Sequence, residues 1–222
     1  MPAPDAPTPS SSPTSPNAWY AMPILDGRLI RLRPMVAEDA DGYLAAAGAD
    51  GEAEEVFRWV TTPGSASGAP RTPQDARTDV DWALAARAAG TRFAYTQLDA
   101  ITGEMAGTSS YYDVDPAVRT LAIGHTWLGR RWWRTGHNTE SKLLMLTHAF
   151  DALGAARVVW HTDIRNERSQ AAITRLGATR EGEFRKHRIR RDGSWRTTVQ
   201  FSMTDDDWPA ARTRLTERLA RG

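Results

Sequence analysis

The chain has 222 residues, enough for one domain with a sizeable core, and 41% hydrophobic with 25% charged residues is an ordinary globular composition. The net charge of +1 gives no overall field that selects nucleic acid or an anionic membrane. The absence of cysteine excludes disulfides, thiolate metal sites and a cysteine nucleophile, and it suits a cytoplasmic protein. The sequence has neither an apolar run near the roughly 18 residues of a membrane span nor a secretory signal.

The first twenty residues are expected to form a disordered tail. Proline, serine and threonine dominate residues 2–16, and nothing in that stretch can bury surface. We therefore expect a single folded domain over residues 21–222.

The first half of the chain predicts a strand, two helices and three further strands. Residues 29–33 alternate apolar and basic side chains, as a half-buried strand does, and acidic residues suited to a helix start follow. Residues 61–71 are rich in glycine, proline and serine and indicate a loop. Thr72 then caps a longer helix that Gly90 ends. The three strands are expected over residues 92–98, 104–113 and 118–128.

The second half predicts two helices that alternate with strands. Asn166 caps the second helix and Gly177 ends it, and Asp192-Gly193 is a strong hairpin signal. The helix before them is expected over residues 139–153, and the strands over 157–163, 184–190 and 195–203. Antiparallel strands would thus surround one strand–helix–strand unit. This order predicts a mixed α/β fold, with a mostly antiparallel central sheet flanked by helices.

The most informative segment is residues 121–139, which read LAIGHTWLGRRWWRTGHNT. A strand ends here, a basic and aromatic turn follows, and a helix begins. A helix start exposes unpaired N–H groups and a partial positive charge, which together suit a pyrophosphate. Gly136 would let the backbone approach the phosphates closely. The alternative is an ordinary strand-to-helix turn with solvated arginines.

This segment resembles the acyl-CoA loop of GNAT acetyltransferases, written R/Q-x-x-G-x-G/A, and is most similar to the branch of ribosomal-protein N-terminal acetyltransferases. Residues 29–39, 166–169 and 176–182 resemble further family segments in the same order. The resemblance covers residues 24–208 and implies the GNAT acyl-CoA N-acyltransferase fold.

The resemblance also implies a reaction and its site. Acetyl-CoA would bind here and give its acyl group to a primary amine by direct transfer in a ternary complex. The backbone near Trp127 and Leu128 would align the pantetheine arm and polarise the thioester carbonyl. The Asn166 side chain would bind the same arm, unless it is only a helix cap. The pyrophosphate would be held by Arg134, Thr135, Gly136, His137, Asn138 and Thr139.

The chain departs from the family pattern at the catalytic positions. Ala122 stands where many relatives have a glutamate, and Ile173 stands where a tyrosine often protonates the leaving thiolate. Ser169 is the acid that the closer relatives imply, although it could instead complete the helix cap. His125 or His187 could act as the base, or neither could. By strand alternation, His125 shares a face with Leu121, Ile123 and Trp127 and could therefore point into the core.

Several alternatives stay open at this stage. The missing glutamate and tyrosine would fit a non-catalytic acyl-CoA-binding regulator, and the basic hairpin 185–191 would fit an RNA- or ribosome-binding module. The acceptor could be a small molecule, a protein N-terminus or a lysine. Acetyl is the default acyl group and succinyl-CoA the alternative, and the protein could be a monomer or a homodimer. The histidines show no ligand spacing, so no metal site is predicted.

Overall fold

A computed structural model of the chain describes residues 15–49, 51–60, 62–63 and 68–221. Its centre is an eight-stranded sheet in the order β1-β2-β3-β4-β5-β6-β8-β7. Only β5 and β6 are parallel neighbours in it, and the other pairs are antiparallel. The strands are Leu25–Asp26 (β1), Ile30–Pro34 (β2), Arg92–Asp99 (β3), Met105–Asp115 (β4), Thr120–Leu128 (β5), Arg157–Asp163 (β6), Thr179–Ile189 (β7) and Trp195–Thr204 (β8).

Seven α-helices of the described residues flank this sheet. They are Pro16–Tyr20 (α1), Ala40–Ala47 (α2), Glu52–Phe57 (α3), Pro73–Ala88 (α4), His137–Thr147 (α5), Glu167–Leu176 (α6) and Trp208–Arg221 (α7). Helices α2 and α4 pack together over β3 and β4, whereas α5 packs on α7 and against β2 on the other face. In the part of the chain that is described, no helix combines the length and apolar character needed to cross a bilayer.

The predicted caps form as expected. Thr72 Oγ1 accepts the N–H of Asp75 at 3.1 Å, and the Asp75 carboxylate accepts the N–H of Thr72 at 2.9 Å, so each satisfies a backbone donor. Asn166 Oδ1 accepts the N–H of Ser169 at 3.1 Å at the start of α6. Gly177 ends α6 with φ of +99°, a conformation that costs glycine little. These local signals correctly predicted where both helices begin.

Three helices differ from the sequence-based expectation, and strand β7 begins at Thr179 rather than near residue 184. The helix expected over residues 139–153 begins earlier, at His137, and passes at His148–Ala152 into a π-helical turn. Helices α3 and α7 lie in stretches for which no element was predicted. For α7 a signal was present, because Trp208, Ala211 and Leu215 recur at helical spacing and are all buried. Of the loop expected over residues 61–71, residues 61 and 64–67 lie outside the described residues.

The end of the expected disordered tail is structured. Residues 16–20 form α1, and Trp19 is only 4% exposed within the main hydrophobic core. The ring of Tyr20 lies 5.7 Å from that of Phe93 on β3. Composition misled here, because one tryptophan that buries about 150–250 Å² can order a short polar segment around it. Residues 1–14 of the expected tail lie outside the described residues.

We expect Trp19→Ala to lower the free energy of unfolding by about 3–5 kcal/mol, because it removes a large side chain from a packed core. Asn17→Ala is the matched control, since Asn17 is an exposed residue of the same helix. Urea unfolding with an unchanged denaturant slope would measure both variants. Equal stabilities of the two variants would contradict the packing of α1 on the domain.

Candidate active site

A cleft opens where β5 and β6 separate. The two parallel strands pair at only three positions, the last of which joins Ala122 to Val159. Beyond this point β5 continues to Leu128 and β6 to Asp163 without pairing with each other. The β5 backbone groups on this side are therefore left without strand partners at the carboxyl ends of two parallel strands, where α/β sheets commonly bind ligands.

A β-bulge changes the direction of β5 along this cleft. Ser110 pairs with Gly124 and Thr108 with Trp127, so Ser109 alone faces two residues of β5. The extra residue is His125, whose φ of +48° lies in the left-handed region that side chains seldom adopt. A strained residue held within a regular strand marks a place where the surrounding structure imposes a particular backbone geometry.

The bulge corrects the expected orientation of His125. Strand alternation put His125 on one face with Leu121, Ile123 and Trp127. The added residue shifts the alternation by one, so His125 and Trp127 instead face the side of α2 and α4. There the exposed imidazole lies edge-on to Trp82 at 5.7 Å and to Tyr112 at 5.5 Å.

His125 is poorly suited to accept a proton. Partial removal of the ring from water by the surrounding side chains lowers the pKa of His125 well below its ordinary value, and the positive charges of Arg92 and Arg188 lower it further. The ring is therefore neutral at neutral pH, but it is a weak base. Its assignment as a catalytic base stays a prediction that this environment does not strengthen.

The loop after β5 places the N-terminus of helix α5 beside the cleft. Helix α5 begins at His137, whose N–H donates to Thr135 Oγ1 at 3.4 Å. Among the described residues, the N–H groups of Asn138 and Thr139 have no side-chain acceptor. Arg134, just before the helix, is exposed and has φ of +61°. Residues 134–139 thus join a helix N-terminus with two free donors to a nearby cation, which is an arrangement that can bind a phosphate.

Asp99, the last residue of β3, holds this loop in place. Its carboxylate accepts the Trp132 indole N–H at 3.2 Å and lies 3.0 Å from His137 Nε2, while His137 Nδ1 lies 2.9 Å from Thr135 Oγ1. Burial raises the pKa of Asp99, but hydrogen bonds from the backbone of its own turn, from Trp132 and from His137 hold it well below its usual range. The carboxylate therefore stays ionised and anchors both ends of the loop.

Glu140 anchors the first turn of α5 to the start of the sheet. Its carboxylate accepts three backbone N–H groups, from Arg28 at 3.1 Å, Leu29 at 2.6 Å and Ile30 at 2.9 Å. A side chain at Gly27 would approach Glu140 Oε2 to 2.5 Å, so this turn has room only for glycine. The helix start is thereby held in a fixed position relative to β2.

Gly136 has a packing role that the sequence did not reveal. A Cβ atom at this position would lie 2.5 Å from Leu29 Cδ1 and 3.4 Å from Leu219 Cδ2. Its φ is −69°, which any residue adopts. The glycine thus leaves room for the terminal methyl of Leu29, which would have to move if a side chain were present.

Trp127 and Leu128, expected to align a bound cofactor arm, are largely engaged by the protein. The Trp127 ring is buried against Tyr43 at 4.8 Å and Phe57 at 4.9 Å. The Leu128 carbonyl accepts the indole N–H of Trp133 at 2.7 Å. This carbonyl is therefore occupied, and any contribution of these two residues to a ligand would come from their other backbone groups.

Trp133 lies between two arginines from opposite sides of the cleft. The guanidinium of Arg130 is 4.7 Å from its ring centroid, and that of Arg168 on α6 is 3.8 Å from it. These cation–π contacts join the loop after β5 to the helix after β6. The rims of the cleft are therefore linked near its mouth.

Asn166 and Ser169 lie on the β6 side of the cleft, at the start of α6. Asn166 is the helix cap, and the group that it caps is the backbone N–H of Ser169 rather than the hydroxyl. Among the described residues, the Ser169 hydroxyl makes no hydrogen bond. The structure thus brings the predicted loop and the predicted α6 residues to one cleft, whereas His187 lies on the exposed edge strand β7.

Sequence reasoning missed Lys142, which lies beneath the bulge. Its ammonium donates to Ser109 Oγ at 2.6 Å and to Thr126 Oγ1 at 2.8 Å, and the residue is buried. Both hydroxyls belong to residues of the bulge, so Lys142 fixes its geometry from the α5 face. Burial lowers the pKa of Lys142 to about 7. The available signal was weak: Lys142 lies one turn before the apolar residues Met145 and Leu146 on the same buried face of α5.

Comparisons with known proteins agree with this geometry. The family described as the acetyltransferase (GNAT) domain matches residues 29–179. A candidate acetyltransferase from T. thermophilus is 34% identical, and the match covers 90% of this chain and 98% of that one with a TM-score of 0.77. RimJ of Mycobacterium smegmatis, solved in complex with CoA-disulfide, is 20% identical, covers 89% and 92% of the two chains, and has a TM-score of 0.72, which shows a common fold.

A curated relative matches over a shorter stretch. YdaF of Bacillus subtilis strain 168, named as a candidate ribosomal N-acetyltransferase, is 27% identical over 106 residues, or 48% of this chain. The match spans 57% of that relative's own length. The predicted mixed α/β fold and the family resemblance are confirmed, and neither the regulator nor the RNA-binding alternative is favoured by these relatives.

We expect the buried Lys142 to make stability rise with pH. The folded pKa of about 7 lies below the ordinary value near 10.4. Between these values the unfolded chain binds more protons than the folded one, so the free energy of unfolding increases as the pH rises through this window. Lys142→Met should abolish that part of the increase.

Urea unfolding across this pH window measures the effect as the difference between wild type and variant. Lys186→Met is the matched control, because Lys186 is the only other lysine and lies on the exposed strand β7. The two variants should differ most at the acidic end of the window. Identical pH dependence in wild type and Lys142→Met would show that Lys142 is fully protonated in the folded protein.

Proposed function

Since the chain belongs to the GNAT acetyltransferase family, we propose that it transfers an acetyl group from acetyl-CoA directly to a primary amine. The observation that carries this proposal is the juxtaposition of a cleft between β5 and β6 with the start of α5, where the N–H groups of Asn138 and Thr139 are free. The cleft is suited to an extended arm, and the helix start to an anionic group at its end. Acetyl-CoA carries both.

The residues present fit such a cosubstrate. We assign the pyrophosphate to the free N–H groups of Asn138 and Thr139, with Arg134 as the neighbouring cation and Thr135, Gly136 and His137 completing the loop. The pantetheine arm would follow the unpaired edge of β5 near Trp127 and Leu128, opposite Asn166. The structure of RimJ, a complex with CoA-disulfide, supports a CoA-type ligand for this fold.

The protein's own groups would serve the reaction in two ways. Backbone N–H groups of β5 beyond Ala122, on the side that β6 no longer covers, can stabilise the negative charge that develops on an attacked carbonyl oxygen, a role worth roughly 3–4 kcal/mol where it is measured. Ser169, in the first turn of α6, can hold a proton for the leaving thiolate near the positive end of that helix. Its hydroxyl is not committed to the helix cap, which supports this assignment.

The acceptor class that we favour is the α-amino group of a peptide or protein. Such a group has a pKa near 7.7–8.0 and is partly neutral at physiological pH, whereas a lysine amine near 10.4 is almost fully protonated. A site with Ala122 in place of a glutamate offers no carboxylate there to deprotonate the latter. The name of YdaF, a candidate ribosomal N-acetyltransferase, points to the same class.

The proposed activity is tested by the release of free thiol from acetyl-CoA in the presence of defined amines. The panel is an alanyl peptide, the same peptide with a blocked N-terminus, Nα-acetyl-lysine amide, spermidine and glucosamine, each assayed with acetyl-CoA and with succinyl-CoA. We expect transfer from acetyl-CoA to the free alanyl peptide and none to its blocked form. Calorimetric binding of acetyl-CoA without transfer to any amine would instead indicate a non-catalytic binding protein.

We expect Arg134→Gly to weaken acetyl-CoA binding about tenfold, because a charged hydrogen-bond partner contributes roughly 1.5–3 kcal/mol. Glycine suits the φ of +61°, so the melting temperature should not fall. Arg119→Gly is the matched control, since Arg119 also has a positive φ, of +55°, but lies at the opposite end of β5. Equal affinities of both variants and wild type would remove Arg134 from the binding site.

We expect Ser169→Ala to lower turnover tenfold or more while leaving acetyl-CoA affinity and the melting temperature near their wild-type values. Alanine keeps the backbone N–H that Asn166 caps, so helix α6 should be unaffected. Turnover at saturating acetyl-CoA and the melting temperature are measured on the same sample. A lower melting temperature with unchanged turnover would make Ser169 a structural residue, with the thiolate protonated by solvent.

A further inference from the structure

A line of polar side chains crosses four strands at the root of the cleft. Tyr112 Oη on β4 lies 2.8 Å from His161 Nδ1 on β6, and His161 Nε2 lies 3.0 Å from Gln200 Oε1 on β8. Gln200 Nε2 donates to Glu181 on β7 at 2.9 Å, and Glu181 forms a bidentate ion pair with Arg157. None of the roles assigned above uses this line.

The ionised end of the line fixes the direction of every hydrogen bond in it. The hydrogen bonds of Arg157 lower the pKa of Glu181 to about 2, so this carboxylate only accepts. The Gln200 amide must then turn its NH₂ to Glu181 and its oxygen to His161. His161 consequently carries its proton on Nε2, which leaves Nδ1 free to accept the hydroxyl proton of Tyr112.

This line lies where β5 and β6 part. Tyr112 pairs with Ala122, the last β5 residue that still pairs with β6. From there its ring passes over Gly124, because a Cβ atom at Gly124 would lie 2.8 Å from Tyr112 Cε1. The absence of a side chain at Gly124 therefore lets a residue of β4 reach across β5 to His161.

We propose that Tyr112 and His161 form a proton relay that takes the proton from the acceptor amine, with Tyr112 as the catalytic residue and His161 as the positioning residue behind it. This inference rests on the proposed acetyl transfer. It gives the site a base at the point where the sequence, with Ala122, offers none.

The proton and electron balance of the step is simple. The amine nitrogen bonds to the thioester carbon, and the carbon–sulfur bond breaks with its electron pair leaving on sulfur. The amine proton passes to Tyr112 Oη as the phenolic proton passes to His161 Nδ1. Because both ring nitrogens face protein partners, the imidazolium returns the proton from Nδ1 to Tyr112 Oη after the product leaves, while the phenolic proton passes to water in the cleft.

The surroundings keep both members in the required starting state. Burial lowers the pKa of His161 below its ordinary value, despite the hydrogen bond to Gln200, so the ring is neutral at neutral pH. The pKa of His125 is also lowered, but His161 differs in having a proton donor, Tyr112 Oη, 2.8 Å from Nδ1. Burial raises the pKa of Tyr112, so the phenol passes a proton on rather than losing one outright. The titratable and charged groups that face the pair are Asp113 on β4, His125 on β5, His187 and Arg188 on β7 and Arg196 on β8.

The alternative role for the pair is a structural staple between β4 and β6. The variant His161→Asn separates the two roles, because the asparagine oxygen can replace Nδ1 as the acceptor for Tyr112 but cannot take up a proton. If the pair only holds β4 and β6 together, the variant should keep wild-type activity. If the pair relays a proton, the variant should lose activity. Tyr112→Phe removes the hydroxyl and retains the ring over Gly124.

The test measures kcat/KM for acetyl transfer to the alanyl peptide as a function of pH. We expect Tyr112→Phe and His161→Asn each to lower kcat/KM about 10²-fold, and the double variant to lose no more than either alone, since the two act as one unit. The acidic limb set by His161 should vanish in His161→Asn. The part of the pH profile that reflects titration of the peptide amine is common to all variants and should remain.

Tyr111→Phe is the matched control. Tyr111 is the neighbouring residue on β4, but it faces α5, where its hydroxyl donates to the Met145 carbonyl at 2.7 Å. Its loss should lower stability and leave kcat/KM near the wild-type value. Acetyl-CoA affinity and melting temperature of every variant are measured alongside, so that a folding defect is recognised as such.

Different results overturn the relay and the proposed function. Wild-type transfer together with kcat/KM within threefold of wild type for Tyr112→Phe or His161→Asn overturns the relay alone. Absence of transfer by the wild-type protein overturns the proposed function and the relay with it. A further readout needs no acceptor: nitrogen NMR of His161 at neutral pH should show a neutral ring protonated on Nε2, and protonation on Nδ1 contradicts the relay.

Discussion

The separation of β5 from β6 after three paired residues is the constraint on which the rest of this structure depends. A parallel pair that stays together would bury its backbone groups in the sheet and leave no site. Here the bulge at His125 bends β5 away, and Lys142 holds the bulge from the opposite face through the hydroxyls of Ser109 and Thr126. A strained residue and a buried ammonium are both costly, and both occur together at the same point of the sheet.

The start of helix α5, which follows β5, is also held in a fixed position. Asp99 holds the loop through Trp132 and His137, and Glu140 holds the first helical turn on the β1–β2 turn. These two carboxylates accept donors around the helix start, but the N–H groups of Asn138 and Thr139 in its first turn remain free. A fixed position with unsatisfied donors is what a binding site for an anion requires, because the donors then need no rearrangement when the ligand arrives.

On the acceptor side of the sheet, the chain lacks the glutamate that many family members have at one position of β5, but neighbouring strands offer another group that can accept a proton. Ala122 removes a carboxylate from β5, and the adjacent strand β4 presents Tyr112 on the same face. The proton-accepting capacity that we infer is distributed over β4, β6, β8 and β7 rather than placed on one residue. Its direction is set by an ion pair, Arg157 with Glu181, that lies three hydrogen bonds away from the tyrosine.

The sequence by itself determined the fold class, most elements, the caps at Thr72 and Asn166, and the loop around Gly136, because these depend on periodicity and on interactions between residues close in the chain. It did not determine the orientation of His125, since a single inserted residue in β5 reverses which face each side chain takes. Only the tertiary structure placed Trp19 in the core and brought Tyr112 to His161, which are 49 residues apart in the chain. Such contacts follow from strand order and from the empty space over Gly124, which no local pattern encodes.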